Sequence, residues 1–191
     1  MTGMKKNKII LITVTALVLM GAGVYGYFNI EKLEIMAKKS SGSDSQDLLA
    51  LAAKAEQAGN HDKALDYYQG FLDVHLDAPA NADPGVGTAY AGMGNIYFKQ
   101  FKYPKALDYL KKALDHSTQY AGKQSQQTAD HWFYLAAVYD KQGEVKTALD
   151  HYKNSRNIQA KLGGDTGKVD TVIDELENYM VNANLHSSSA S

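Results

Sequence analysis

At 191 residues, with a formal net charge of -1 and no cysteine, the chain has room for one domain plus an appendage, and disulfides, thiolate metal sites and cysteine nucleophiles are excluded. The near-zero total hides an asymmetry, since from residue 40 onward 14 Lys plus Arg stand against 19 Asp plus Glu. A mildly acidic body disfavours nucleic acid as a partner, because phosphate binding needs a basic face.

Residues 1–8 form a short basic tail carrying Lys5, Lys6 and Lys8, and Ile9 to Ile30 is a run of 22 residues without a charge. As a helix it reaches about 33 Å, enough for a hydrocarbon core of about 30 Å. Tyr25, Tyr27 and Phe28 crowd its far end, where aromatic rings favour the headgroup zone. The run therefore reads as a transmembrane anchor. The competing reading is a cleaved signal peptide with an apolar core from Ile9 to Met20, but Gly21-Ala22-Gly23 fits an Ala-x-Ala cleavage site poorly and apolar residues continue past it. Three lysines precede the span and three (Lys32, Lys38, Lys39) follow it closely, so the count is tied. Glu31 and Glu34 flank Lys32, which favours a cytoplasmic N-terminus and an extracytoplasmic body, periplasmic or extracellular. Ala22 and Gly26 make a small-x-x-x-small pair that offers a route to homo-oligomers. Residues 31–45 read as a juxtamembrane segment and a Ser-rich linker, with Ser45 or Asp47 available to cap the first helix of the body.

The body, residues 46–184, is predicted to be all-α. Apolar residues three and four apart recur in pairs of short stripes. The first pair is Leu48, Leu51, Ala52 and Ala55, then Ala64, Tyr68 and Phe71. The second is Tyr90, Met93, Gly94 and Tyr97, then Ala106, Leu110 and Ala113. The third is Trp132, Leu135, Ala136 and Tyr139, then Ala148, Leu149 and Tyr152. Gly59 and Gly143 mark reversals between the first and third pairs. Phe101 occupies that place in the second, followed by Pro104 near the start of the next helix, where proline is tolerated. A lone hairpin of this kind cannot bury its apolar face and needs neighbours stacked on it. Val169, Val172, Ile173, Leu176 and Met180 mark one more amphipathic helix, and residues 185–191 are expected to be a disordered tail.

Trp132, Leu135, Ala136, Tyr139, Gly143, Ala148 and Tyr152 have the spacing of one tetratricopeptide repeat, and the body resembles three such repeats, at about 46–78, 88–120 and 130–162, with a capping helix at about 168–184. The repeated alanines Ala64, Ala106 and Ala148 are 42 residues apart, eight more than the usual repeat, which is similar to the variety found in kinesin light chains. The extra length falls between repeats, as loops or as longer second helices. The resemblance implies a right-handed α-solenoid whose first helices line a concave groove for a protein or peptide partner. Carried over by repeat position, the groove residues are Asn95, Phe98 and Lys99 in repeat two and Asp130, Phe133, Tyr134, Asp140 and Lys141 in repeat three. Exposed Phe98, Phe133 and Tyr134 would suit apolar anchors of a peptide; the alternative is that these aromatics pack against a neighbouring repeat or the cap. The Lys, Asn and Arg with which some co-chaperones of this family grip a terminal carboxylate are absent, since Leu49, Ala53, Gly92, Asp130 and Tyr134 hold those places.

The six histidines show no metal-ligand spacing, and there is no phosphate-binding glycine loop or nucleophile elbow. No enzyme activity, metal or cofactor is expected. The expectation is a membrane-anchored interaction module at a bacterial inner membrane that recruits a protein or peptide partner and serves envelope assembly or secretion. The alternative is a structural scaffold that self-assembles at the membrane with no groove ligand.

Overall fold

A computed structural model describes residues 45–75 and 83–188, with side chains over 46–75 and 83–183. The basic tail, the uncharged run at 9–30 and nearly all of the linker lie outside the described residues. Seven helices and no strand make up what is described: α1 (Ser45–Gln57), α2 (His61–His75), α3 (Pro84–Lys99), α4 (Tyr103–Tyr120), α5 (Gln126–Lys141), α6 (Val145–Lys161) and α7 (Gly167–Ser188). Among the described residues no helix is long and apolar enough to cross a membrane.

The small residues read from the sequence sit where antiparallel helices cross. Ala64, Ala106 and Ala148 are all 0 % exposed, and α1 packs on α2, α3 on α4 and α5 on α6. At the crossing of α3 and α4 a side chain on Gly94 would come within 2.6 Å of Leu110 Cγ, so the two backbones approach because that position carries none. Each hairpin then stacks on the next, and α7 covers the open face of the last one. Its Val169 and Ile173 are buried with Ala148, Leu149 and Tyr152.

The three hairpin turns close in the same way. In each, two backbone N–H groups reach back to the helix end: Gly59 to Glu56 and Asn60 to Ala55, Phe101 to Phe98 and Lys102 to Tyr97, Gly143 to Asp140 and Glu144 to Tyr139. This Schellman closure needs a left-handed residue. Gly59 (φ 74°) and Gly143 (φ 80°) take it without cost, while in the middle turn it falls on Phe101 (φ 58°), a conformation that L-residues adopt only under strain.

The helix bounds differ from the repeat bounds read from the sequence in two places. Helices α3 and α5 begin at Pro84 and Gln126, four residues before the repeat starts at 88 and 130, and α4 and α6 run to Tyr120 and Lys161, so much of the added repeat length is helical. Asp83 caps α3 by accepting from Gly85 N–H, with Pro84 in the first turn, and Ser125 caps α5 by accepting from Thr128 N–H. The last helix also continues to Ser188 rather than ending at 184, since no Gly or Pro interrupts residues 168–188.

Candidate functional site

The first helices of the hairpins lie side by side and parallel. Gln46 at the start of α1 bonds Asp83 at the start of α3, and Lys99 at the end of α3 pairs with Glu56 at the end of α1, Nζ to Oε1 2.8 Å. Gln127 at the start of α5 donates to the Pro84 carbonyl at 2.9 Å. Between α1, α3 and α5 lies a recess of about 230 Å³, to which Glu56, Thr88, Asn95, Asp130 and Tyr134 contribute.

Tyr134 is its centre. The residue is 36 % exposed, it lines the recess together with Asn95, and the Asp130, Glu56 and Lys99 charges all act on its phenol. Burial, then the two carboxylates, push the phenol upward, with the Asn95 amide and Lys99 opposing. Asp130 is held by the Gln126 amide at 2.8 Å, and among the described residues it has no cationic partner. Burial raises its carboxyl above the ordinary range, partly countered by that amide. Tyr68 closes the wall from α2 and donates to Glu56 Oε2 at 3.2 Å. Its ring lies over Gly92, where a Cβ would meet Tyr68 Cζ at 2.2 Å, so the wall exists because α3 carries glycine there. Burial first and Glu56 second push that phenol well above its usual range.

Of the eight residues singled out from the sequence, Asn95, Asp130 and Tyr134 line the recess and Lys99 sits on its rim through Glu56. The others lie elsewhere. Phe98 is half-buried in the core between α3 and α4, its ring 6.0 Å from that of Tyr103. Phe133 wedges edge-on against Tyr152 at 5.2 Å within the core that α7 completes, which is the packing alternative weighed above for helical aromatics. Asp140 and Lys141 form a loose pair at 3.9 Å at the end of α5. There the Asp140 charge adds to burial in raising the Tyr152 phenol to about 12.

Tyr68, Gln127 and His131 also line the recess and were missed. Tyr68 belongs to a second helix that repeat position assigns to the core, and Gln127 precedes the assumed start of its repeat. A glycine at a groove position, Gly92, was the available signal that a neighbouring ring fills its place. A second, larger crevice of about 360 Å³ lies between α4 and α6, bordered by Trp132, Lys123 and Lys161. Among the described residues no hydrogen bond joins its lining side chains to one another. Among the described residues no group of three His, Asp or Glu is placed to hold a metal ion.

This stack of helical hairpins with a shared groove is the tetratricopeptide class of α-solenoid. The chain belongs to the tetratricopeptide repeat family, whose profile matches residues 44–119 and 85–161. A relative in sequence, response regulator aspartate phosphatase E of Bacillus subtilis (strain 168), is 27 % identical over 146 residues, covering 67 % of this chain and 38 % of the relative. The chain thus spans well under half of that protein. Among solved structures it is similar to the TPR2AB domain of yeast Sti1 in complex with pHSP90 (TM-score 0.63, 17 % identity, 77 % of this chain and 51 % of that one). It is also similar to BtubC from P. vanneervenii (0.58, 19 %, 73 % and 64 %) and to the Sgt2 domain of Aspergillus fumigatus (0.56, 18 %, 74 % and 82 %). At these identities the likeness is one of fold.

Proposed function

We propose that the domain is a non-catalytic interaction module that holds an extended segment of a protein partner in the groove of α1, α3 and α5. The observation that carries this reading is an open recess lined by the Asn95 amide and the Tyr134 phenol, beside an Asp130 carboxylate that among the described residues no cation neutralises. An amide and a phenol on rigid helices suit peptide backbone groups, and a desolvated carboxylate suits a basic side chain of the partner. A segment gripped by its terminal carboxylate does not fit. The Sti1 domain with its pHSP90 partner supports the use of this fold for such capture. We assign the repeats to the 42-residue register, supported by His61, Tyr103 and Val145 as the first residues of α2, α4 and α6. We further assign residues 9–30 as a retained anchor with the N-terminus inside, placing the domain outside a bacterial inner membrane as an envelope assembly or secretion factor. The uncharged run and its lysine flank support that part.

The test is in-cell photocrosslinking of the full chain with benzoylphenylalanine in place of Tyr134, compared with the same group in place of Leu162 at the end of α6. A discrete adduct at 134 that is lost on Asn95→Ala and absent at 162 supports groove capture. Adducts of the chain with itself alone, unchanged by Asn95→Ala, would favour the self-assembling scaffold. Protease protection of a tag after Ser191 in spheroplasts reads the orientation: removal by external protease fits the assignment, and protection until the membrane is permeabilised contradicts it.

A further inference from the structure

The middle hairpin turn differs from its two sisters in chemistry as well as strain. Its sequence runs Tyr97-Phe98-Lys99-Gln100-Phe101-Lys102-Tyr103-Pro104-Lys105, and no acid occurs between Asn95 and Asp108. The equivalent turns balance their lysines with acids, Glu56 and Asp62 around Gly59 against Lys63, and Asp140 and Glu144 around Gly143 against Lys141 and Lys146. Phe101 is 77 % exposed, and its ring meets that of Tyr103 edge-on, 6.4 Å between centroids. Lys105 and Lys102 stand 5.4 Å and 6.0 Å from the Tyr97 ring, and among the described residues neither has an ion-pair partner. A bulky apolar side chain thus projects into water from a left-handed backbone position that glycine fills in both sister turns, which points to a role outside the fold.

We infer that the α3–α4 turn is a membrane-contact edge, in which Phe101 enters the interfacial zone of an anionic bilayer while Lys102 and Lys105 meet lipid phosphates. An anionic lipid surface is the occupant that the chemistry fits. Interfacial contact calls for aromatic rings with lysines whose ammonium groups reach back to the headgroups, and this turn interleaves the two. Each lysine at such a surface contributes about a five-fold gain in partition, lost at high salt. Geometry permits the contact. The parallel α1 and α3 place this turn at the far end of α1 from Ser45, about 20 Å away along a 13-residue helix. The 14 residues between Ile30 and Ser45 can extend to about 46 Å. For the nearness of a bilayer the inference rests on the anchor assigned above.

The absence of cysteine makes a direct test available. Single cysteines replace Gln100 in this turn or Gln142, its counterpart 42 residues on, each carrying an NBD fluorophore on the full chain. The chains are reconstituted into vesicles of phosphatidylcholine with or without phosphatidylglycerol. Flotation reads the anchor; nitroxide lipids and aqueous iodide read the turn. The expected result is several-fold stronger nitroxide quenching at 100 than at 142 in the vesicles with phosphatidylglycerol, with protection from iodide. Phe101→Gly, or Lys102→Gln with Lys105→Gln, should lower the signal at 100 toward that at 142. A chain that floats with label 100 as water-exposed as label 142 overturns the inference and leaves the anchor standing. Protection from iodide without nitroxide quenching means a protein surface covers the turn, and overturns it also. A chain that does not float, with label 100 in water, overturns both readings.

Discussion

His131 illustrates how far a single residue's role depends on what packs around it. It is 2 % exposed between α3, α4 and α5, with Nδ1 3.0 Å from Ser117 Oγ and Gly87 making room beside it. Burial lowers its pKa from 6.5 to about 4, opposed by a hydrogen bond to the Ala113 backbone and assisted by His116 nearby. The folded imidazole is therefore neutral where the unfolded one takes a proton. Its stabilising contribution is complete above about pH 6.5 and is lost as pH falls toward about 4, a total of up to about 3 kcal/mol. Urea midpoints followed by helical circular dichroism should fall between about pH 7 and about pH 4.5, and His131→Gln should flatten that slope while lowering stability at neutral pH. An unchanged slope in the variant would place the titration elsewhere. The His131 neighbours Ser117 and Ala113 lie on another helix, and no local pattern in the sequence names them. Phe101 was legible as a missing glycine; its strain and exposure follow only from the closed turn.

At the scale of elements most of the fold was readable, because a 3.6-residue stripe, a small residue at the crossing and a turn signal specify each hairpin locally. Helix starts were less so. Asp83 and Ser125 cap α3 and α5 five residues ahead of the assumed repeat boundaries, and the repeat pattern carries no apolar position there to announce them. The last helix shows what holds such an element. Ile173 is buried against α6, while Lys153 and Glu177 form a pair with both side chains 45 % exposed. Ile173→Ala should cost about 2–5 kcal/mol through lost burial and a residual cavity. Lys153→Ala should cost less than about 1 kcal/mol, since an exposed pair is screened and entropically expensive to order. Thermal unfolding of the two variants side by side checks the ranking, and equal losses would mean that α7 is held by its charges rather than by its apolar face.

For the whole molecule, the family was legible, and the division of labour among the aromatics of its first helices was not. Repeat position puts Phe98, Phe133 and Tyr134 on one face, but Tyr103 and Tyr152 draw the two phenylalanines into the core and leave Tyr134 with the recess. Charge followed the same rule: Lys99 is tied to Glu56, so among the described residues Asp130 is left at the recess without a cation. That distribution is set by contacts between helices about 40 residues apart in sequence, which no single repeat encodes.

The central claim, capture of an extended segment by the α1–α3–α5 groove, is tested most directly by binding of a random library of peptides with blocked termini to the full chain and to its Asn95→Ala, Tyr134→Ala variant. The account predicts that the wild-type chain selects peptides with at least one basic side chain, that Asp130→Asn weakens them by about ten-fold, and that the double variant loses them. Selection of the same peptides by the double variant would contradict it.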